Sequence, residues 1–282
     1  MFTIALDGGH GLYTAGKRCD KIVDPKETRE WVLNNRICNY IQKYLKDYNG
    51  YKLYRVDDTT GKIDVALKDR VKTANSKGAD LYLSIHHNAA KYFLKKGGGI
   101  EAYCYTSGSS ISFTWRDAFY DSLIKYTDLV GNRSTPKTTA GFYVIKYTNM
   151  PAVLLELGYM NSAVDTPIIL TEEYAQKCAK AIVEVIVKRG KLTKKAIPST
   201  NSSDGTVKYR VQVGAYKVKN NAINLQNKLK KLGYNSIIVT ERNSDGSIVY
   251  KVQVGAYINK NNAINLQNEL KKLGYKSIIK TV

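Results

Sequence analysis

Near its carboxy terminus the chain repeats itself: Tyr209 to Tyr216 reads YRVQVGAY and Tyr250 to Tyr257 reads YKVQVGAY, 41 residues further on. The match runs on through Asn220 to Tyr234 (NNAINLQNKLKKLGY), which recurs as Asn261 to Tyr275 (NNAINLQNELKKLGY), and through Ser236-Ile237-Ile238, which recurs as Ser277-Ile278-Ile279. Within each copy the alternation of Tyr209, Val211, Val213 or Tyr250, Val252, Val254 fits a half-buried strand. Ala222, Leu225, Leu229, Leu232 and Ala263, Leu266, Leu270, Leu273 fit one helical face. Each copy reads strand, helix, strand. A single copy has too little surface to bury alone, so the two pair as a small α+β βαββαβ domain with both helices on one face of a four-stranded sheet. The other face stays open.

Upstream lies Ile197 to Gly205 (IPSTNSSDG), a Pro/Ser/Asn/Gly stretch after the basic Lys188 to Lys195, which reads as a linker. The expected organisation is a first domain over 1–190, a linker over 191–206 and the repeat domain over 207–282. The first domain alternates apolar strand candidates with amphipathic helices, predicting an α/β fold with a mostly parallel sheet flanked by helices. The strands are expected at Phe2 to Leu6, Tyr51 to Val56, Asp80 to His86, Ile100 to Tyr105, Phe142 to Lys146 and Ala152 to Leu157. The helices are expected at Pro25 to Tyr48, Asp64 to Ser76, Ile111 to Val130 and Glu172 to Lys188. Functional residues of such folds collect at the carboxyl ends of the strands.

The 282 residues include 44 Lys and Arg against 24 Asp and Glu, a net charge of +20 that favours a polyanionic partner without choosing among nucleic acid, anionic lipid and anionic wall polymer. Residues 207–282 alone carry 14 basic against 3 acidic side chains. Cys19, Cys38, Cys104 and Cys178 form neither a C-x-x-C pair nor a dense framework, which predicts free thiols. No apolar run of about 18 residues is present, so no transmembrane helix is expected. Met1 to Asp7 runs directly into a strand, and no signal peptide is visible.

The chain has three histidines, all at the ends of expected strands: His10 in DGGHG, and His86 with His87 in SIHHNA. A glycine-rich turn after a strand brings an imidazole over the sheet edge, where its unprotonated nitrogen can bind zinc. Neighbouring strand residues point to opposite faces, so one of His86 and His87 is the ligand candidate and the other its neighbour; spacing does not say which. For a third ligand Glu27 and Glu30 compete. Asp24-Pro25-Lys26-Glu27 has the form of an N-cap, a first-turn proline and a capping-box glutamate, which gives Glu27 a structural role. Glu30 shares a helix face with Asn34, Ile37 and Ile41, where a carboxylate is costly unless paired or bound to a cation, and is the favoured ligand. Glu156, in the apolar segment PAVLLELG, is expected to have a raised pKa, as suits a group that takes a proton from water and passes it to a leaving amine. Two His, one Glu and a second buried Glu at one sheet edge make the constellation of a catalytic zinc site.

LDGGHG, the REWVLN segment, SIHHNA and PAVLLELGYMN together resemble the four ordered signatures of the zinc-dependent N-acetylmuramoyl-L-alanine amidases, a resemblance spanning essentially the whole first domain. It implies Zn2+ bound by His10, Glu30 (followed by Asn34) and His86, with Glu156 catalytic. The implied reaction is hydrolysis of the amide between N-acetylmuramic acid and L-alanine in bacterial peptidoglycan. His87 stands where that family commonly has a small residue; it and Asn88 are expected beside the substrate.

The repeat domain resembles the SPOR family, with V-Q-V-G-x-[YF] at each first strand. That resemblance implies binding to glycan strands stripped of peptide, through Arg210, Gln212, Lys251 and Gln253 on the sheet face opposite the helices and Tyr216 and Tyr257 at the strand ends. Polar forks and aromatic rings suit sugar hydroxyls and ring faces. A βαββαβ domain also suits RNA binding, but the aromatic RNP1 pattern is absent and no nucleic-acid or membrane partner is expected. Two rivals remain: a peptidoglycan-binding protein without catalysis, and a zinc peptidase acting on the stem peptide. A catalytic domain with a wall anchor and no visible signal peptide looks like a phage endolysin; an exported bacterial autolysin is the other origin.

Overall fold

The structure, a computed structural model, describes residues 1–195, 209–232 and 234–281. The chain folds as two separate units, Met1–Lys195 and Ala196–Val282. Thr193–Lys194 is a short strand of the first unit; the rest of the expected linker from 196 on, with Val207, Lys208, Gly233 and Val282, lies outside the described residues.

In chain order the first unit comprises β1 (Phe2–Gly8), α1 (Glu30–Leu45), β2 (Tyr48–Asn49), β3 (Tyr51–Arg55), α2 (Leu67–Ser76), β4 (Leu81–Asn88) and β5 (Ile100–Tyr105). It continues with α3 (Ser110–Thr127), β6 (Lys137–Ala140), α4 (Tyr143–Lys146), β7 (Ala152–Tyr159), α5 (Asp165–Ile169), α6 (Glu172–Arg189) and β8 (Thr193–Lys194). Six strands form one sheet in the order β3-β1-β4-β7-β5-β6, parallel throughout except where β5 meets β7. Helices α1, α3 and α6 cover one face over a core that includes Leu6, Ile37, Leu83, Phe119, Leu155 and Ile182. On the other face Val71 and Ala74 of α2 and Val144 and Ile145 of α4 pack over Ala5, Tyr82 and Leu154. Strands β1, β4 and β7 are buried on both faces, which is why they read as apolar runs. They run parallel side by side, so their carboxyl ends meet at one edge of the sheet.

Two expected elements are corrected. Phe142 to Lys146 is not a strand but leads into the single-turn helix α4; the sheet position is taken by β6, the polar KTTA run just before Gly141, which pairs with β5 at the sheet edge. Helix α1 starts at Glu30 instead of Pro25, and Glu27 makes no capping box. Asp24 instead closes a turn, accepting from the Lys26 and Thr28 N–H groups, while Glu27 adopts φ +48° and pairs with Arg18 at 3.0 Å.

The second unit consists of β9 (Tyr209–Tyr216), α7 (Lys219–Lys231), β10 (Ile237–Arg242), β11 (Ile248–Tyr257), α8 (Lys260–Lys272) and β12 (Ile278–Thr281), with an antiparallel sheet ordered β10-β11-β9-β12. Val211 and Val252 meet Ala222, Leu229, Ala263 and Leu270 in its core, so both helices lie on one face as the duplication requires. Gln212 and Gln253 are register partners at the centre of the sheet, and both are largely buried with their Oε1 atoms unbonded. Register shifts on either side of this pair change which face the following residues take. A Cβ on Gly214 would lie 2.6 Å from Tyr216 Cε2 and 2.8 Å from Leu225 Cδ2, and Gly255 stands in the same relation to Tyr257 and Leu266. Tyr216 and Tyr257 thus pack against the helix-side core and do not extend the face that carries Gln212 and Gln253.

Candidate active site

The chain leaves β1 through two glycines. A Cβ on Gly9 would lie 2.0 Å from Cε1 of His86, so only glycine lets the turn pass this close to that imidazole. His10 follows at φ +64°, a left-handed conformation that few side chains adopt. Beneath the turn Arg70, fully buried, donates to the Asp7 carboxylate and to the Gly8 and His10 carbonyls, while Tyr82 and Ser84 also donate to Asp7. This buried network over-determines the turn and holds His10 in its unfavourable conformation.

Helix α1 delivers Glu30 as its first residue. Its Oε1 accepts from the His87 backbone N–H (3.2 Å) and from Asn34 Nδ2 (3.3 Å) and lies 3.0 Å from His86 Nδ1. Its Oε2 is buried without a hydrogen-bond donor, 3.3 Å from His10 Nε2 and 4.0 Å from the Lys17 ammonium. One ligand-capable atom from each of His10, Glu30 and His86 falls within 4.8 Å of the others, a candidate metal site. Of the adjacent histidines, the fold brings His86 to this group. His87 turns to Asn34, with Nδ1 2.8 Å from Asn34 Oδ1, and leaves Nε2 buried and unpartnered. Asn88, at the strand end, donates to Glu101.

Burial pushes the Glu30 carboxyl up, but the hydrogen bond and charge of His86, the charge of His10 and that of Lys17 outweigh it, and the net shift is downward. Burial brings His10 down to about 4 against the pull of Glu30, which leaves its imidazole neutral with a free lone pair. Burial also lowers His87, to about 3. Burial lowers His86 too, but the hydrogen bond and charge of Glu30 outweigh it and raise its pKa, so a cation here competes with a proton on His86. One carboxylate and two imidazoles in a buried pocket are a donor set suited to a zinc-like dication.

Glu156 lies opposite His86 across β4 and β7, and opposite Glu101 across β7 and β5. Its Oε2 is buried without a partner, and burial, assisted by Glu30 and Glu101 and opposed by His86 and Lys17, raises its carboxyl well above the usual range. A cleft of about 300 Å³ opens beside it, lined among others by Lys17, Glu30, His86, Asn88 and Met160. A second cleft, of about 320 Å³, shares His86 with the first, includes His10 and is walled by Val65, Ala66, Leu67 and Val144.

A family profile described as N-acetylmuramoyl-L-alanine amidase matches residues 4–188, about two-thirds of the chain. The chain belongs to this amidase family. The SPOR domain profile matches residues 205–281. The amidase is 30% identical over 241 residues to the N-acetylmuramoyl-L-alanine amidase CwlM of Bacillus licheniformis, 85% of either chain. To the sporulation-specific N-acetylmuramoyl-L-alanine amidase of Bacillus subtilis it is 30% identical over 239 residues, again 85% of each. An endolysin of Bacillus phage SPP1 is 28% identical over 195 residues, 68% of this chain and 67% of the relative. Among solved structures, the catalytic domain of CwlV from Bacillus (Paenibacillus) polymyxa shares the fold with a TM-score of 0.60 at 24% identity, covering 68% of this chain and all of that one. The amidase AmiC2 of Nostoc punctiforme gives 0.57 at 26% identity, covering 67% of this chain and 96% of its own. The activity is that of a peptidoglycan N-acetylmuramoyl-L-alanine amidase.

The amidase domain also contains site residues that sequence reasoning passed over. Glu101 is fully buried and accepts from the Tyr159, Tyr103 and Asn88 side chains while pairing with Arg133. A carboxylate inside the apolar run Ile100–Tyr105 was the available signal, the same one that singled out Glu156. Asp7 and Arg70 carried no spacing signal, since they meet only through the fold. In the SPOR unit, Arg210 is partly buried with Nε unpartnered, and Lys251 pairs with Glu241 on the neighbouring strand.

Proposed function

We propose that His10, Glu30 and His86 hold a zinc ion and that Glu156 carries the proton as the amide between the lactyl group of N-acetylmuramic acid and L-alanine is hydrolysed. The observation that carries this reading is Glu30 Oε2, a buried carboxylate oxygen without a hydrogen-bond donor, 3.3 Å from Nε2 of a His10 whose pKa burial lowers to about 4. A buried carboxylate oxygen that no donor reaches is costly, and a cation among these three residues offsets that cost. When bound, zinc supplies Lewis acidity toward the acyl oxygen.

The protein's own residues do the rest. Asn34 and the His87 N–H fix the Glu30 carboxylate, and Asn34 also donates to the Gly9 carbonyl, tying helix and turn together. Glu156 takes a proton from the attacking water and hands it to the amine of L-alanine as that amine leaves; a carboxyl with a raised pKa suits both transfers. His87 and Asn88 sit on the cleft wall beside the substrate.

The SPOR unit binds glycan strands freed of peptide, which are the polymer this reaction leaves behind. Gln212, Gln253 and Arg210, with unbonded polar atoms on the sheet, are its best-placed contacts; Lys251 is engaged by Glu241, and Tyr216 and Tyr257 support the sheet from the helix side. Of the two origins, a bacterial wall amidase is better supported than a phage endolysin, because relatives aligned over 85% of the chain are bacterial.

Mass spectrometry of fragments released from purified peptidoglycan by the zinc-loaded protein tests this reading. New amino-terminal L-alanine and intact peptide-free glycan, lost with chelator and in Glu156→Ala, are expected. Cuts inside the stem would make it a peptidase, and wall binding without release a non-catalytic anchor.

A further inference from the structure

The two clefts at the metal group are not equivalent. Glu156 lines the one that contains Lys17 and not the one walled by Val65 and Leu67. If Glu156 delivers the proton to the leaving amine, the L-alanine side of the amide lies in the Lys17 cleft and the muramoyl side points to the other. This step rests on the role proposed for Glu156. The residue following L-alanine in the stem is D-glutamate continued through its γ-carboxyl, so its α-carboxyl stands off the backbone either as a carboxylate or as a carboxamide.

Lys17 is built into this position. Its carbonyl accepts from the Glu30 N–H (3.0 Å) and its own N–H donates to the Thr14 carbonyl (3.3 Å). The next residue, Arg18, makes an antiparallel bridge to Arg29 and pairs with Glu27. The strap carrying Lys17 is thereby fastened to the start of the helix that supplies Glu30. Its ammonium is 4.0 Å from Glu30 Oε2, beyond hydrogen-bond reach, and its side chain is 45% exposed. Among the described residues lining this cleft, Lys17 is the one Lys or Arg. With Glu30 engaged by a bound dication, the ammonium is available to an anion entering the cleft.

We infer that Lys17 is a specificity-determining residue that binds the free α-carboxylate of the second stem residue, so that the enzyme distinguishes D-glutamate stems from D-isoglutamine stems. A charge-assisted hydrogen bond present in one ligand and absent in the other gives about a tenfold difference in affinity.

Calorimetric titration of the zinc-loaded, full-length Glu156→Gln protein with N-acetylmuramoyl-L-alanyl-D-glutamate and with its D-isoglutamine counterpart tests this. About tenfold tighter binding of the acid is expected, with the difference removed by Lys17→Met in the same background. Equal affinities before the Lys17 substitution, or a preference that survives it, overturn the proposal. Steady-state turnover of both compounds by zinc-loaded Lys17→Met, with Glu156 intact, provides a second readout. The loss is expected in KM for the acid with kcat little changed, and a fall in kcat for both compounds alike means a structural role. Should wild type release no L-alanine amine from either compound while the binding preference holds, the reaction reading fails and Lys17 recognition stands.

Discussion

Glu156 faces His86 directly across the parallel pair β7 and β4, so the proposed proton carrier and a proposed metal ligand are set by one strand register. A one-residue slip of β7 against β4 would send Glu156 to the face opposite His86. The chemistry thus depends on the same backbone pairing that builds the core.

Glu156→Gln is expected to keep zinc and fold while losing roughly 10²- to 10⁴-fold in amide cleavage, the usual range for a general acid-base group. Metal content by mass spectrometry alongside release of amino-terminal alanine checks this. Loss of zinc together with activity would assign Glu156 to the metal instead.

Gly9→Ala places a methyl group against the His86 ring. The imidazole must move, and zinc affinity is expected to fall by about 10- to 100-fold, as for other disturbed ligand shells. Chelator competition measures it, and an unchanged affinity would show that the turn yields instead.

Zinc is expected to raise the melting temperature of the first unit and chelation to lower it. At a free concentration one hundred times Kd the stabilisation is about 2.7 kcal/mol. Glu30→Gln removes the carboxylate and should abolish the zinc-dependent shift in differential scanning fluorimetry.

Asp7 is expected to contribute to acid sensitivity. Burial alone would raise its carboxyl, but the Arg70 guanidinium, the charge of His86 and the Ser84 hydroxyl hold it below 3.8. A depressed folded pKa means that its stabilisation is complete above about pH 4 and is lost as pH falls through the lower folded value. Asp7→Asn leaves Arg70 with Asp64, at 3.0 Å, as its remaining carboxylate and should cost about 1–3 kcal/mol at neutral pH. Urea midpoints at pH 7, 4 and 3 should fall steeply below pH 4 in wild type and less so in the variant.

The candidate site was legible in the sequence where one side chain contradicted its surroundings: Glu30 on an apolar helix face, Glu156 in an apolar strand, histidines at strand ends. Glu27 does not cap the helix as its spacing suggested, because Asp24 closes a separate turn before the helix begins. Strand β6 was hidden because an edge strand of Lys and Thr has no apolar period, whereas the apolar Phe142 to Lys146 imitated one. Alternation placed Gln212 and Gln253 opposite Val211 and Val252, but a bulge moved Tyr216 and Tyr257 to the helix side. Contacts joining distant segments, such as Arg70 to Asp7 or Glu101 to Tyr159, have no local signature at all.

All four cysteines are free and buried, and they sit on separate parts of the first unit: before α1, on α1, on β5 and on α6. Burial also raises the thiols, to about 12 for Cys19 and Cys178, so very little thiolate exists in the closed protein. An oxidant meets no exposed thiol of this domain while it stays shut. The same four atoms form a built-in set of clocks: the order in which an alkylating reagent reaches them records which part of the amidase domain opens first.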